Sequence, residues 1–258
     1  MHARFCSIFR KDALFLYFHG MKKYSSRQII AAWAVHLFTA SGVIFAFLAI
    51  LSIQEHDFLK TVIWLLIAQF IDGIDGTLAR AAKVQEVLPN FSGDSIDHVI
   101  DFSTYAIIPA YFIYEANLLP PNLALVGISI LLLASFYYYG KSTYVTKDLH
   151  FEGFPVLWNF VAFYMYFVFS LSPMGNFIGI IILSILHFLP WKYPYPSRTK
   201  EFRALTFIVL IACTLIFLWA IFQYPIKAQW VAIAGYICAI YFFGMTIYKT
   251  FFWKSWAE

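Results

Sequence analysis

Apolar residues run through this chain in stretches of about 20, the length a helix needs to cross a bilayer, separated by short polar connections. Eight helices are predicted on that pattern, near residues 28–53, 58–80, 93–117, 122–145, 155–172, 175–190, 202–222 and 228–251. Leu119-Pro120-Pro121-Asn122 and Gln223-Tyr224-Pro225 mark two of the turns, and Ser172-Pro173-Met174-Gly175 is a briefer break between the fifth and sixth helices. One stretch violates the pattern. FIDGIDGTLARAAKVQEVLPNFSGDSIDHVIDF, residues 70–102, places Asp72, Asp75, Asp94, Asp97 and Asp101 in otherwise apolar surroundings.

Composition agrees with the helix pattern. The chain is 62% hydrophobic and only 12% charged, with a mean hydropathy of +0.73, against about 25% charged residues in an average soluble domain. The expected fold is an all-α, polytopic integral membrane bundle. Basic residues collect in cytoplasmic connections, and a cytoplasmic amino terminus puts all but Lys60 and Lys227 of the 18 lysines and arginines on that side. Both termini are then cytoplasmic. The net charge of +4 reads as an orientation signal towards a lipid bilayer, because no basic-aromatic pattern for nucleic acid accompanies it. Residues 1–27 are expected to be a cytoplasmic interfacial segment, with an amphipathic helix within 1–23, and residues 28–258 the membrane domain. Cys6, Cys213 and Cys238 have no ligand-like spacing and read as small apolar residues.

The aspartates have a depth as well as a position. Asp72 to Arg80 ends the second helix and Gly93 to Asp101 begins the third, so the two run antiparallel. At 1.5 Å per residue Asp72 and Asp101 both lie about 12 Å inside the cytoplasmic edge, with Asp75 and Asp97 at about 6–8 Å. Asp72, Asp75, Gly76 and Ala79 share one helical stripe, and Gly93, Asp97 and Asp101 share another. An unpaired carboxylate costs about 2.5–3.5 kcal/mol at a span centre and less near the interface, and carboxylates this close also repel one another. Arg80 supplies one positive charge. One or two hard divalent ions, Mg²⁺ or Mn²⁺, would neutralise the remainder through oxygen ligands. Helix capping or water contact at the membrane edge is the plainer reading of any single aspartate. Gly73, Gly76 and Gly93 remove side chains where a bulky ligand or a neighbouring helix would approach, and Arg80 either anchors the topology or meets a phosphate.

DGIDGTLAR, twelve residues, then GDSIDHVID resembles the signature of the CDP-alcohol phosphatidyltransferases. The more usual form of that signature lacks Gly73 and has a shorter gap after the arginine; the form seen here is similar to the variant whose acceptor alcohol is choline. The FEGFPVLWN run at Phe151 to Asn159 is similar to the same variant. The resemblance implies transfer of a phosphatidyl group from CDP-diacylglycerol to choline with release of CMP. It implies that Asp72, Asp75, Asp97 and Asp101 hold two metal ions, Mn²⁺ or Mg²⁺, with Asp101 also the general base. Gly76, Ala79, Arg80 and Gly93 would line the CDP site. It further implies a homodimer in a bacterial inner membrane, with the site facing the cytoplasm.

Choline's quaternary ammonium favours aromatic faces and a counter-charge, and Tyr105, Trp158 and Glu152 are the candidates. His36, Thr39 and Ser41 on the first helix reach towards the cleft or bond to their own helix, Asp94 reads as a first-turn dipole partner, and Gly175 and Gly179 read as a packing face. Lys147, Asp148, Arg198 and Arg203 lie on the active side, where they either touch phosphate or serve orientation. Two rival readings remain. One is the same chemistry with serine or another alcohol, which would bury a cation for the acceptor's carboxylate. The other is an ion or metal transporter, which would carry polar residues through to the far leaflet.

Overall fold

Residues 24–196, 199 and 202–253 are described by a computed structural model. The predicted interfacial helix within residues 1–23 lies outside them, as do Arg198 and Cys6. The described chain is all-helical apart from one two-residue strand pair. Helix α1 spans Ser26–Gln54, α2 Phe58–Ala81, α3 Val84–Val87 and α4 Gly93–Phe102; a π-helical turn, Ser103–Ile107, leads into α5, Ile108–Glu115. After α6, Ala124–Tyr139, strand β1 covers Phe151–Glu152, and α7, Trp158–Phe163, continues as a π-turn to Val168. Then come α8, Pro173–Leu186, strand β2, Lys192–Tyr193, α9, Arg203–Gln223, and α10, Gln229–Ile247, which a last π-turn extends to Phe252.

Helix starts are legible as caps. Ser25 and Gln28 form a reciprocal pair at the head of α1, the Ser25 N–H donating to Gln28 Oε1 at 2.8 Å and the Gln28 N–H to Ser25 Oγ at 3.4 Å. Asp57 accepts from the Lys60 N–H at 3.0 Å to start α2, and Ser92 accepts from the Ser95 N–H at 3.1 Å to start α4. Ser172 does the same for α8, accepting from the Gly175 N–H at 3.1 Å, which sharpens the brief break read from the sequence.

A helix stands at each predicted position. Among the described residues, four candidate spans are long and apolar enough to cross a membrane: Ser26–Gln54, Phe58–Ala81, Arg203–Gln223 and Gln229–Phe252. Ala124–Tyr139, Trp158–Val168 and Pro173–Leu186 are shorter apolar helices. The prediction of a fourth helix over 122–145 is too long at its carboxyl end. Gly140 closes α6, and the polar, β-branched run after it makes an extended loop, where Val145 bridges to Phe151.

Two compact units emerge, residues 24–47 with 64–101 and residues 48–63 with 102–253. In the first, α3 is pinned by its apolar side. Val84, Val87 and Leu88 are buried with Ala32, and Ile29 and Trp33 pack against them, whereas Gln85 and Glu86 stay exposed. In the second, α6 packs on α8, α5 on α7, and α9 on α10. There β1 and β2 pair antiparallel, Phe151 opposite Tyr193 and Glu152 opposite Lys192, and Phe151 stacks on Tyr195 with ring centroids 4.2 Å apart. Gly153 has φ +86°, and a Cβ there would sit 2.6 Å from the His187 carbonyl oxygen. Only glycine fits, which explains the Gly in FEGFP without reference to a ligand.

Candidate active site

The first unit contains Asp72, Asp75, Asp94, Asp97 and Asp101. Asp72, from α2, and Asp97 and Asp101, from α4, each present a carboxylate oxygen, and the three lie within 4.8 Å of one another. The expected opposition of Asp72 and Asp101 holds, since their carboxyl groups are in hydrogen-bond contact. Antiparallel helices with acids at matched depth produce this arrangement from i, i+4 spacing alone. The donor set is all oxygen and the residues are half-buried, which suits a hard divalent cation.

Asp75 stands apart from that trio. It is 7% exposed, and the Thr39 hydroxyl of α1 and the Gly76 N–H donate to it. Its carboxylate and that of Asp97 line a cavity of about 370 Å³, within the range of small-molecule sites. Gly76, Ala79, Arg80 and Gly93, the residues expected to admit a nucleotide, line the same cavity. Arg80 is held by its Nη2 donating to Thr77 Oγ1 at 3.0 Å. The glycines divide into two kinds. A Cβ at Gly73 would meet nothing within 4 Å, and one at Gly76 would meet only Arg80 Nη1 at 3.4 Å, so helix packing requires neither. At Gly93 a Cβ would press on His36 Cε1 at 3.1 Å, so this glycine lets α4 approach α1.

His36 and Thr39, which the sequence left either reaching towards the cleft or bonding to their own helix, line the cavity together with residues not read from the sequence as site residues. Val35, His36 and Thr39 form one wall from α1, and Lys83, Val84, Gln85 and Glu86 close another, with Asp94 beside them. The signal for the second wall was the twelve-residue gap itself, in which Val84, Val87 and Leu88 mark a buried side and leave Gln85 and Glu86 on the opposite one.

The three acceptor-site candidates lie in the second unit. Trp158 is 0% exposed, and its Nε1 donates to Ser135 Oγ at 2.8 Å; its ring lies 5.6 Å from the His187 ring. Tyr105 is buried in the π-turn after α4. Glu152 is half-buried in β1, and its carbonyl accepts from Lys141 Nζ at 3.3 Å. The GxxxG pair makes no tight packing face among the described residues, since a Cβ at Gly179 would lie 3.7 Å from Met165 Cε. Asp148 pairs with Lys192 Nζ at 2.9 Å.

The sequence model for CDP-alcohol phosphatidyltransferase matches residues 28–191, which include every aspartate of the cluster. The chain belongs to the CDP-alcohol phosphatidyltransferase family. It is an enzyme of phosphatidyl transfer to an alcohol, and its apolar helices make it a membrane protein. Among curated proteins it is 34% identical over 227 residues to "Phosphatidylcholine synthase" of Rhizobium meliloti (strain 1021), covering 86% of this chain and 94% of that one. It is 36% identical over 223 residues to the protein of the same name from Pseudomonas aeruginosa, covering 85% and 92%. The corresponding figures for the Borreliella burgdorferi protein of that name are 34% over 220 residues, 85% and 93%.

Proposed function

We propose that this family member transfers the phosphatidyl group of CDP-diacylglycerol to choline, making phosphatidylcholine and CMP. The observation that carries the chemistry is the convergence of Asp72, Asp97 and Asp101 beside a cavity floored by Gly76, Ala79 and Gly93 and flanked by Arg80. The names of the similar proteins and the form of the signature, with Gly73 and the long Ala81–Ser92 gap, support choline as the acceptor.

In this reading Asp72, Asp75, Asp97 and Asp101 hold two divalent ions, Mg²⁺ or Mn²⁺. Bound there, the ions supply positive charge against the diphosphate and the charge developing on departing CMP. Arg80 adds a bidentate contact to a phosphate, and the small residues admit the nucleoside. Asp101 accepts the proton of the choline hydroxyl as that oxygen attacks the phosphorus bearing diacylglycerol. A P–O bond to choline forms, the P–O bond to CMP breaks, and CMP leaves with the electron pair. Tyr105 and Glu152 are the acceptor-site candidates with chemistry to offer a quaternary ammonium; the Trp158 ring is fully buried, its polar atom already engaged by Ser135. The membrane domain, residues 28–258, crosses a bacterial inner membrane eight times as a homodimer, with residues 1–27 at the cytoplasmic interface and the site open to the cytoplasm. The inside–outside distribution of lysine and arginine supports that orientation.

The test is purified protein in detergent with CDP-dioleoylglycerol, Mn²⁺ or Mg²⁺, and labelled choline or serine in parallel. Label entering lipid from choline alone is the expected result. Incorporation of serine instead would overturn the choline assignment and leave the family chemistry standing.

A further inference from the structure

His36 sits on α1, 5% exposed, and lines the same cavity as Gly76 and Ala79. Three neighbours fix its ring. Trp33 stands edge-on with centroids 5.9 Å apart, Phe91 edge-on at 4.6 Å, and Gly93 leaves only enough room for Cε1. Its Nε2 is buried and has no hydrogen-bond partner among the described residues. A buried polar atom left bare costs free energy that a well-packed site does not ordinarily give up, and nothing about the aromatic packing needs an imidazole in place of a phenyl ring.

We infer that His36 is a nucleotide-contacting residue, its Nε2 hydrogen-bonding a polar atom of the cytidine diphosphate portion of the lipid substrate. The inference rests on the proposed nucleotide site. The walls it shares carry Arg80 and Lys83 beside Asp75, Glu86, Asp94 and Asp97; the two cations can meet the phosphates of a nucleotide, whereas a quaternary ammonium has no donor or acceptor to offer an imidazole nitrogen. Gly93 thereby has a second function: its missing Cβ lets the imidazole reach the cavity wall. Phe91, seven residues after Val84 in the extended gap, holds the ring from the other side, so the length of that gap and the position of His36 form one structural arrangement.

The experiment compares wild type with His36→Ala, His36→Gln and His36→Asn in detergent, measuring CMP binding by calorimetry, steady-state KM for CDP-diacylglycerol and for the alcohol, and thermal midpoint. Glutamine places an amide nitrogen near the position of Nε2, and asparagine near that of Nδ1. Loss of one hydrogen bond to a charged or polar ligand group predicts about a tenfold weaker CMP affinity and a similar rise in KM for CDP-diacylglycerol in His36→Ala. Most of it should return in His36→Gln and not in His36→Asn, with the KM for choline within about twofold of wild type. Unchanged CMP affinity in His36→Ala, equal loss in the Gln and Asn variants, or a shift confined to the KM for choline would overturn the inference. A wild-type protein that binds CMP but releases none with any alcohol would overturn the proposed function and leave the His36 contact to be judged on binding alone.

Discussion

At the residue scale, four aspartates occupy different environments. Asp72, Asp97 and Asp101 are brought together, whereas Asp75 is buried and bonded by Thr39 and Gly76. Replacing Asp97 with Asn removes a charged oxygen from the cluster and should lower CMP release by about a hundredfold or more, read as kcat in detergent; retention of more than a tenth of wild-type kcat would contradict its role. Gly73→Ala is the complementary case. A Cβ there meets no protein atom, and alanine is about 1 kcal/mol better than glycine in a helix, so the thermal midpoint should hold or rise. Any loss of activity would then report on a ligand passing that face. The aspartates and Arg80 were legible because charge in an apolar run is costly and therefore conspicuous. Trp158 was misleading for the opposite reason: in a chain 21% aromatic, nothing in the sequence separates a ring that faces a ligand from one whose nitrogen is already engaged by Ser135.

At the element scale, short connections do more than join helices. The α3 segment lies within the gap that distinguishes this signature, and its buried Val84, Val87 and Leu88 turn Gln85 and Glu86 to the cavity. Val87→Asp should unseat it and raise the KM for CDP-diacylglycerol several-fold, a split from kcat that a general folding defect would not give. The β1–β2 pair is secured by Asp148 and Lys192. Burial alone raises the Asp148 carboxyl, and hydrogen bonds from Lys192 and Thr146 together with the Lys192 and His150 charges outweigh that, holding it down at about 2. Because the folded value lies below the unfolded value of about 3.9, the stabilisation is fully present above about pH 4 and is lost as pH falls towards 2. The thermal midpoint of Asp148→Asn should therefore lie below that of wild type at pH 7, with the difference closing below pH 4; a constant difference would contradict the pairing. Helix starts were readable here, since Ser25, Asp57, Ser92 and Ser172 are all capping residues. The end of α6 was not, because an apolar-aromatic run up to Tyr139 carries no stop signal until Gly140, and the bridge of Val145 to Phe151 depends on residues far along the chain.

At the scale of the whole molecule, charge asymmetry and helix length carry the account of topology. Lys60, which pairs with Glu55 at 3.5 Å, and Lys227 are assigned to the side opposite all other basic residues. Single cysteines placed at these two positions, in a background with the native cysteines removed, should react with a membrane-impermeant thiol reagent from outside spheroplasts; labelling only after lysis would reverse the orientation. The hydropathy pattern placed a helix at each of its eight positions but missed the short α3, and it did not show which helices cross the bilayer, because α6, α7 and α8 are shorter than a full span and their depth depends on neighbours. The central claim is divalent-ion-dependent transfer of the phosphatidyl group to choline at the aspartate cluster. The most direct measurement follows phosphatidylcholine formation and CMP release together, in chelator-treated wild type and Asp101→Asn, as Mn²⁺ or Mg²⁺ is titrated back. Equal amounts of the two products, restored by the ion in wild type and absent in Asp101→Asn, are expected. Full product formation in the chelated wild type, or equal restoration in the variant, would contradict it.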